Sequence, residues 1–207
     1  MALKCETKPP KPLTVNAIAN APPNQAWYDP YGGGIQTGMT LHTEIERKFL
    51  VRSVPDGIEA CERTDISQAY LAEDPDGTEV RLREVKGERW LTVKRGSGIV
   101  RQECDIGLTP RQFQALWPLT EGRRIEKVRI DIPVGDHVAE LDIYAGALAG
   151  LLTVEVEFDT LEASRIFQPP LWFGAEITGD PRFLNNQLAQ EGLPPDFTLL
   201  QTYRTGL

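Results

Sequence analysis

The chain has 207 residues, 41% hydrophobic and 25% charged, with a formal net charge of −8, the composition of a globular domain with enough apolar material for a core. The acidic balance argues against broad binding to nucleic acid or to an anionic membrane, both of which need a basic surface, while leaving room for a local basic pocket. No run of about 18 apolar residues is present to span a membrane.

The opening "MALKCETKPPKPLTV" lacks the continuous apolar stretch of a secretory signal. Cys5, Cys61 and Cys104 are an odd number without metal-ligand spacing. They are therefore expected as free thiols in a reducing cytoplasm.

Residues 1–40 are rich in Pro, Gly and Asn and show no sustained period, so an irregular or flexible extension is expected there, ahead of a domain over 41–207. Trp27 and Tyr28 could pin part of it, and both Met1 and Met39 are candidate starts. "YGGGIQTG" lacks the Lys-Ser/Thr pair and following helix of a phosphate loop and reads as a linker.

From Leu41 onward the pattern is mostly strands. In "TEIERKFLV" Glu44, Glu46 and Lys48 share one face while Ile45, Arg47 and Phe49 share the other, because strand side chains alternate with period two. "TEVRLREVKG" sets Glu79, Arg81 and Arg83 against Val80 and Leu82. After the turn "VKGE", "RWLTVKRG" sets Trp90, Thr92 and Lys94 against Leu91 and Val93. "GIVRQECDI" groups Arg101, Glu103 and Asp105. "RIEKVRIDIPV" places Lys127, Arg129 and Asp131 opposite Val128, Ile130 and Ile132. "VAELDIYAG" sets Glu140 and Asp142 against Leu141 and Ile143, and "LTVEVEFDT" sets Glu155 and Glu157 against Val154, Val156 and Phe158. The short turns between these segments favour antiparallel neighbours.

Three helices are predicted. One starts at Thr109 as N-cap with Pro110 at the first helical position and covers "PRQFQALWPL". The second covers "TLEASRIF" and ends before Pro169. The third, "DPRFLNNQLAQEG", runs from Asp180 as N-cap to a stop at Gly192.

At least six strands thus repeat one design, a charged face and an apolar face. For a single strand the charged face would meet solvent. For the set a second reading opens, because the charges sort by strand into a basic group rich in arginine and an acidic group. If the sheet closes into a barrel, every strand gains an inside. Inward cations would then repel one another without an anionic guest, and inward carboxylates without a metal. A polyphosphate carrying divalent cations satisfies both, since arginine suits oxyanions and carboxylates suit Mg²⁺ or Mn²⁺.

"EIERKF" resembles the Glu-x-Glu-x-Lys signature of the CYTH superfamily, the triphosphate tunnel metalloenzymes. "QAYL", "EVRLR", "LTVKRG", "VRQECDI", "EGRRIEKVRI", "ELDIYAG", "VEVEF" and "DPRFLNNQLA" follow in that family's order, over about residues 42–192. The resemblance implies an α+β fold, a closed antiparallel β-barrel of about eight strands with helices packed outside. It looks closest to short bacterial inorganic triphosphatases. The implied activity is hydrolysis of the terminal phosphoanhydride of a small-molecule triphosphate with Mg²⁺ or Mn²⁺. Thiamine or nucleoside triphosphatase, class IV adenylate cyclase and a non-catalytic polyphosphate-binding module are the alternatives, and a homodimer stays open.

By position, the resemblance implies Glu44, Glu46, Glu155, Glu157 and Asp142 as metal ligands. It implies Arg81, Arg83, Lys94, Arg101, Lys127 and Arg129 as holders of the triphosphate. Lys48 and Tyr70 resemble a pair that orients and activates the attacking water. Glu140 and Asp142, like Glu103 and Asp105, could instead hold metal through water or position an arginine. The chain departs from the family at Phe183, where a tyrosine is common, and has no lysine near Asn185 to Gln187. His42 and His137 are expected at the surface, and Trp90 and Trp117 in packing.

Overall fold

The computed structural model describes residues 39–75, 77–96 and 98–197. Nine strands follow in the order β1 (Met39–Val51), β2 (Arg63–Glu73), β3 (Thr78–Val85), β4 (Glu88–Arg95), β5 (Val100–Gly107), β6 (Arg124–Val134), β7 (His137–Tyr144), β8 (Leu152–Glu157) and β9 (Phe173–Glu176). They pair in the order β5-β4-β3-β2-β6-β7-β8-β1-β9, and a further β5–β1 pairing closes the first eight into an antiparallel barrel. Closure depends on the length of β1. Its first half, Met39 to Ile45, pairs with β5, and its second half, Glu46 to Leu50, pairs with β8. Where β5 has ended, β9 takes the vacated edge of β1 at Phe49 and Val51.

Local chemistry sets the corners. β3 and β4 are joined by Lys86 (φ 50°) and Gly87 (φ 81°), a two-residue turn with both central residues left-handed, which matches the twist of the strands it joins. At Gly174 an added Cβ would lie 2.9 Å from the Leu50 carbonyl oxygen, so only glycine lets β9 approach β1 this closely.

The outer faces of β1, β6, β7 and β8 carry the larger core, with Phe49, Ile130, Ile132, Leu141, Val154 and Val156 packed under Phe167 and Phe173. A smaller core, including Tyr70, Tyr144, Phe183 and Leu188, lies against the helix α3 (Asn185–Glu191). The helix α2 (Leu161–Ile166) is capped by the Thr160 hydroxyl, which accepts from the Ala163 backbone N–H.

Several sequence expectations are adjusted. The first helix, α1 (Pro110–Leu116), has the expected Thr109 cap, here a full capping box with Gln112. It tightens into a 3₁₀ turn at Trp117–Thr120, where Pro118 has no N–H to continue the helix. The third predicted helix is two pieces. Asp180 caps a 3₁₀ turn at Pro181–Phe183, Leu184 is extended, and α3 starts afresh at Asn185. The reason is a competing bond, since the Phe183 carbonyl accepts from Lys48 Nζ at 3.1 Å. β2 and β9 have no charged-face alternation and were not legible as strands from it. β1 begins at Met39, so the last two residues of the expected extension belong to the barrel; the rest of it, with Trp27 and Tyr28, lies outside the described residues. Cys104 is a free thiol as expected, whereas Cys61 is disulfide-bonded.

Candidate active site

The inward faces of the eight barrel strands enclose a cavity of about 310 Å³. Period-two alternation delivers to it Glu44, Glu46 and Lys48 from β1, Gln68 and Tyr70 from β2, Glu79, Arg81 and Arg83 from β3, and Lys94 from β4. Arg101, Glu103 and Asp105 from β5, Lys127 and Arg129 from β6, Glu140 from β7, and Glu155 and Glu157 from β8 complete the lining. The solvated-face reading of the alternation is therefore set aside. Of the metal-binding, triphosphate-binding and water-activating candidates named from the sequence, only Asp142 does not line this cavity.

The cations and acids are interleaved. Lys94 Nζ bridges Glu44 (2.9 Å) and Glu103 (2.8 Å). Arg101 pairs with Glu46 and lies 3.2 Å from Glu44. Arg129 spans three acids, reaching Glu155 at 2.8 Å, Asp142 at 2.6 Å and also Glu140. Burial opposes the charge of Glu155, but Lys48, Lys127 and Arg129 hold its carboxyl well below the usual range.

Asp142 is fully buried, and both of its oxygens are taken. Oδ1 accepts from Arg129 Nε at 2.7 Å, and Oδ2 accepts from Arg129 Nη2 at 2.6 Å and Lys127 Nζ at 2.5 Å. Asp142 thus holds the heads of the two cations on β6, the arginine-positioning arrangement that was one of its two expected roles.

Arg83 stands apart. No ion pair or hydrogen bond holds its guanidinium among the described residues, and its buried Nε has no partner. Burial first, then Arg81 and Arg129, pushes its pKa down. The Nε atoms of Arg81 and Arg101 are likewise buried without partners. A protein interior seldom leaves such donors unmet.

The acids show the complementary need. Glu46 and Glu157 face each other directly across β1 and β8, a like-charge pairing that disfavours ionisation. Burial, with Glu155 and Glu44 nearby, pushes Glu46 up to about 7. Glu157 stands at an exposed position on the rim, yet its carboxyl is crowded by the wall and by Glu140, Glu44 and Glu46, and is also pushed up to about 7. It makes no ion pair among the described residues. Glu44, Glu46, Glu155 and Glu157 are hard oxygen donors on the neighbouring strands β1 and β8, and that donor set fits a divalent cation of the Mg²⁺ or Mn²⁺ type.

Lys48 and Tyr70 both stay protonated at neutral pH. Burial opposes the Lys48 ammonium, but Tyr144, Glu155 and Glu46 outweigh it and raise its pKa. It donates to the Phe183 carbonyl and lies 3.1 Å from Glu155. Tyr70 is buried, and burial with Glu79 raises its phenol well above the usual value against the pull of Arg81. Its hydroxyl accepts from Gln68 Nε2 at 2.8 Å.

His42 is not a surface residue. It lines the cavity, opposite Glu103 in the β1–β5 register, and ligand-type atoms of His42, Glu103 and Asp105 lie within 4.8 Å of one another. Continuing the alternation of β1 two residues upstream of Glu44 would have found it. Tyr144 and Asn185, at the α3 end, were also missed: Tyr144 sits at the last position of β7 and its ring reads as core. Trp117 packs as expected, stacked on Phe113 at 5.0 Å with Arg124 over its ring. His137 makes edge contacts with Phe158 and Phe167 and is half-buried.

A closed eight-stranded antiparallel barrel with an acid- and arginine-lined bore is the architecture of a tunnel for small, highly charged molecules. Comparison with known proteins narrows this. No family model matches the chain. The chain is 46% identical over 148 residues to an inorganic triphosphatase of Nitrosomonas europaea, covering 71% of this chain and 97% of that protein. It is 33% identical over 150 residues to an inorganic triphosphatase of Acetivibrio thermocellus, covering 71% and 93%. The crystal structure of the inorganic triphosphatase NE1496 superposes with a TM-score of 0.56 at 42% identity, covering 73% of this chain and 97% of that one. The chain belongs to the family of these inorganic triphosphatases.

Proposed function

We propose that the tunnel hydrolyses the terminal phosphoanhydride of inorganic triphosphate, with a divalent cation held by its acids. The observation that carries this reading is Arg83: a half-buried side chain whose buried Nε has no partner and whose guanidinium makes no ion pair among the described residues, with Arg81 and Arg129 nearby. Such a site is completed by an anion of high charge density. A linear triphosphate offers several negative oxygens in a row, which matches cations distributed along a bore rather than gathered at one point. The names of the relatives support the same substrate.

Arg81, Arg83, Lys94, Arg101, Lys127 and Arg129 hold the non-bridging oxygens. Glu44, Glu46, Glu155 and Glu157 hold the cation, and Asp142 fixes Lys127 and Arg129. When bound, the cation supplies charge neutralisation to the phosphate oxygens and a lowered pKa to water. Lys48 and Tyr70 orient and activate the attacking water, whose proton passes to bulk solvent as the new P–O bond forms. Charge developing on the leaving oxygens meets fixed cations already pinned by Asp142, Glu103 and Glu44, so little reorganisation is needed during reaction.

The test is phosphate release by the purified protein from inorganic triphosphate, ATP and thiamine triphosphate, with Mg²⁺, Mn²⁺ or chelator. Fast, metal-dependent release from inorganic triphosphate with the organic triphosphates slow is the expected result. Conversion of ATP to a cyclic product would replace this reading with a cyclase. Tight triphosphate binding without turnover would replace it with a receptor.

A further inference from the structure

The helix α3 brings no lysine to the cavity; the side chains it contributes to the lining, Asn185 and Asn186, are neutral amides. Asn185 borders the cavity together with Lys48, Tyr70, Lys127 and Phe183. The Tyr144 hydroxyl donates to Asn185 Oδ1 at 2.6 Å, the one hydrogen bond that the Asn185 side chain makes among the described residues. Taking the oxygen fixes which way the amide faces. Its nitrogen, with two N–H donors, is left without a protein acceptor beside the two lysines.

Tyr144 is itself held firmly. It is 3% exposed, its hydroxyl lies 3.5 Å from Thr153 Oγ1, and it sits opposite Lys127 in the β6–β7 register with Lys127 Nζ 5.6 Å from its ring centre. The backbone carrying Asn185 is anchored from the tunnel floor by the Lys48 bond to the Phe183 carbonyl, and from outside by Asn186 and Gln190, which both donate to Glu73.

We infer that the Asn185 side-chain amide, oriented by Tyr144, is a substrate-binding donor for the phosphate group at the α3 end of the tunnel. Asn185 is the binding residue, and Tyr144 is a positioning residue that acts through it. The inference rests on the triphosphatase reading and extends it to two residues that no charge pattern marks. Without Tyr144 the amide is free to flip, which would present its oxygen to a phosphate oxygen and turn attraction into repulsion.

The experiment is steady-state hydrolysis of inorganic triphosphate with Mg²⁺ by wild type, Asn185→Ala, Asn185→Asp, Tyr144→Phe and the Asn185→Ala/Tyr144→Phe double variant. Thermal melts run alongside to register folding. Asn185→Ala is expected to raise KM about tenfold with kcat within about threefold, the loss of one hydrogen bond to a charged group. Asn185→Asp is expected to raise KM further. Tyr144→Phe is expected to raise KM about threefold to fivefold by losing orientation only, and to add nothing in the Asn185→Ala background.

A wild-type KM in Asn185→Ala, a fall in kcat alone, or full additivity in the double variant would overturn the inference. If Asn185→Ala fails to fold, Tyr144→Phe decides, since a purely structural tyrosine would lower the melting temperature and leave KM in place. Wild-type protein that does not turn over triphosphate at all would sink the underlying reading, so the two failures are distinguishable.

Discussion

Arg47 and Arg83 sit on neighbouring patterns in the sequence and on opposite sides of the barrel wall. Arg47 faces outward from β1. Its guanidinium makes a two-pronged pair with Glu176 at 2.8 and 2.7 Å. It also donates to the Ser164 and Phe167 carbonyls and lies over the Phe49 and Phe167 rings. Arg83 faces inward from β3 and has none of these. The outward arginine is finished by the fold, tying α2 and β9 to β1, whereas the inward one is left for a ligand to finish. The contrast separates what the charges do for stability from what they do for chemistry.

The largest expected effect tests the acid side of that contrast. Glu46→Ala removes a cation ligand and the partner of Arg101, and should lower kcat/KM for inorganic triphosphate by about 10³, on the order of 4 kcal/mol of barrier. A variant with wild-type kcat/KM would break the assignment of Glu46. Next, Arg83→Ala should lower kcat/KM by about 10², as for loss of a charged hydrogen bond to phosphate in a dry site. Its melting temperature should not fall, because no protein partner is lost. A stability loss without an activity loss would move Arg83 into the structural class with Arg47.

The reverse outcome is expected for Arg47→Ala. It leaves two carbonyls and a carboxylate unmet and should destabilise the fold by about 2 kcal/mol, measured by denaturant unfolding, with kcat/KM near wild type. The smallest effect is in pH. The Glu46 carboxyl has a raised pKa in the folded state, so its contribution to stability is present below its ordinary value near 4.5 and is lost as the pH rises through about 7. Metal-free protein should therefore lose stability between those values through this group. Mg²⁺ should stabilise most at the upper end, where the ligands are deprotonated. Melts with and without Mg²⁺ at pH 5.5 and 7.5 check this, and Glu46→Gln should flatten the difference. An equal difference in that variant would assign it elsewhere.

Much of the fold was legible in the sequence because charge and period two coincide in it. Every strand that alternates a charged and an apolar face is a barrel strand, and its charged face lines the bore except at Asp131 and Asp142. β2 was harder to read because its inward residues, Gln68 and Tyr70, are uncharged, and β9 because it is four residues long and defined by the glycine that lets it approach β1. The third helix broke because a tertiary bond, Lys48 to the Phe183 carbonyl, outweighed local helix propensity.

Within the site, the pattern could show which side chains face inward but not how they divide among themselves. Asp142 alternates just as Glu140 does, yet only the structure shows its two oxygens consumed by Arg129 and Lys127. His42 follows the same alternation and was passed over because a lone histidine carries no pattern. Tyr144 and Asn185 were invisible because their roles arise from one hydrogen bond between residues 41 positions apart.

The most direct measurement is calorimetric binding of a non-hydrolysable imido analogue of inorganic triphosphate, with Mg²⁺, to wild type, Arg83→Ala and Arg47→Ala. The expected result is one-to-one binding by wild type and Arg47→Ala with similar Kd, and at least about tenfold weaker binding by Arg83→Ala. Equal Kd in wild type and Arg83→Ala would contradict the claim that the unpaired guanidinium in the bore is there to receive the triphosphate.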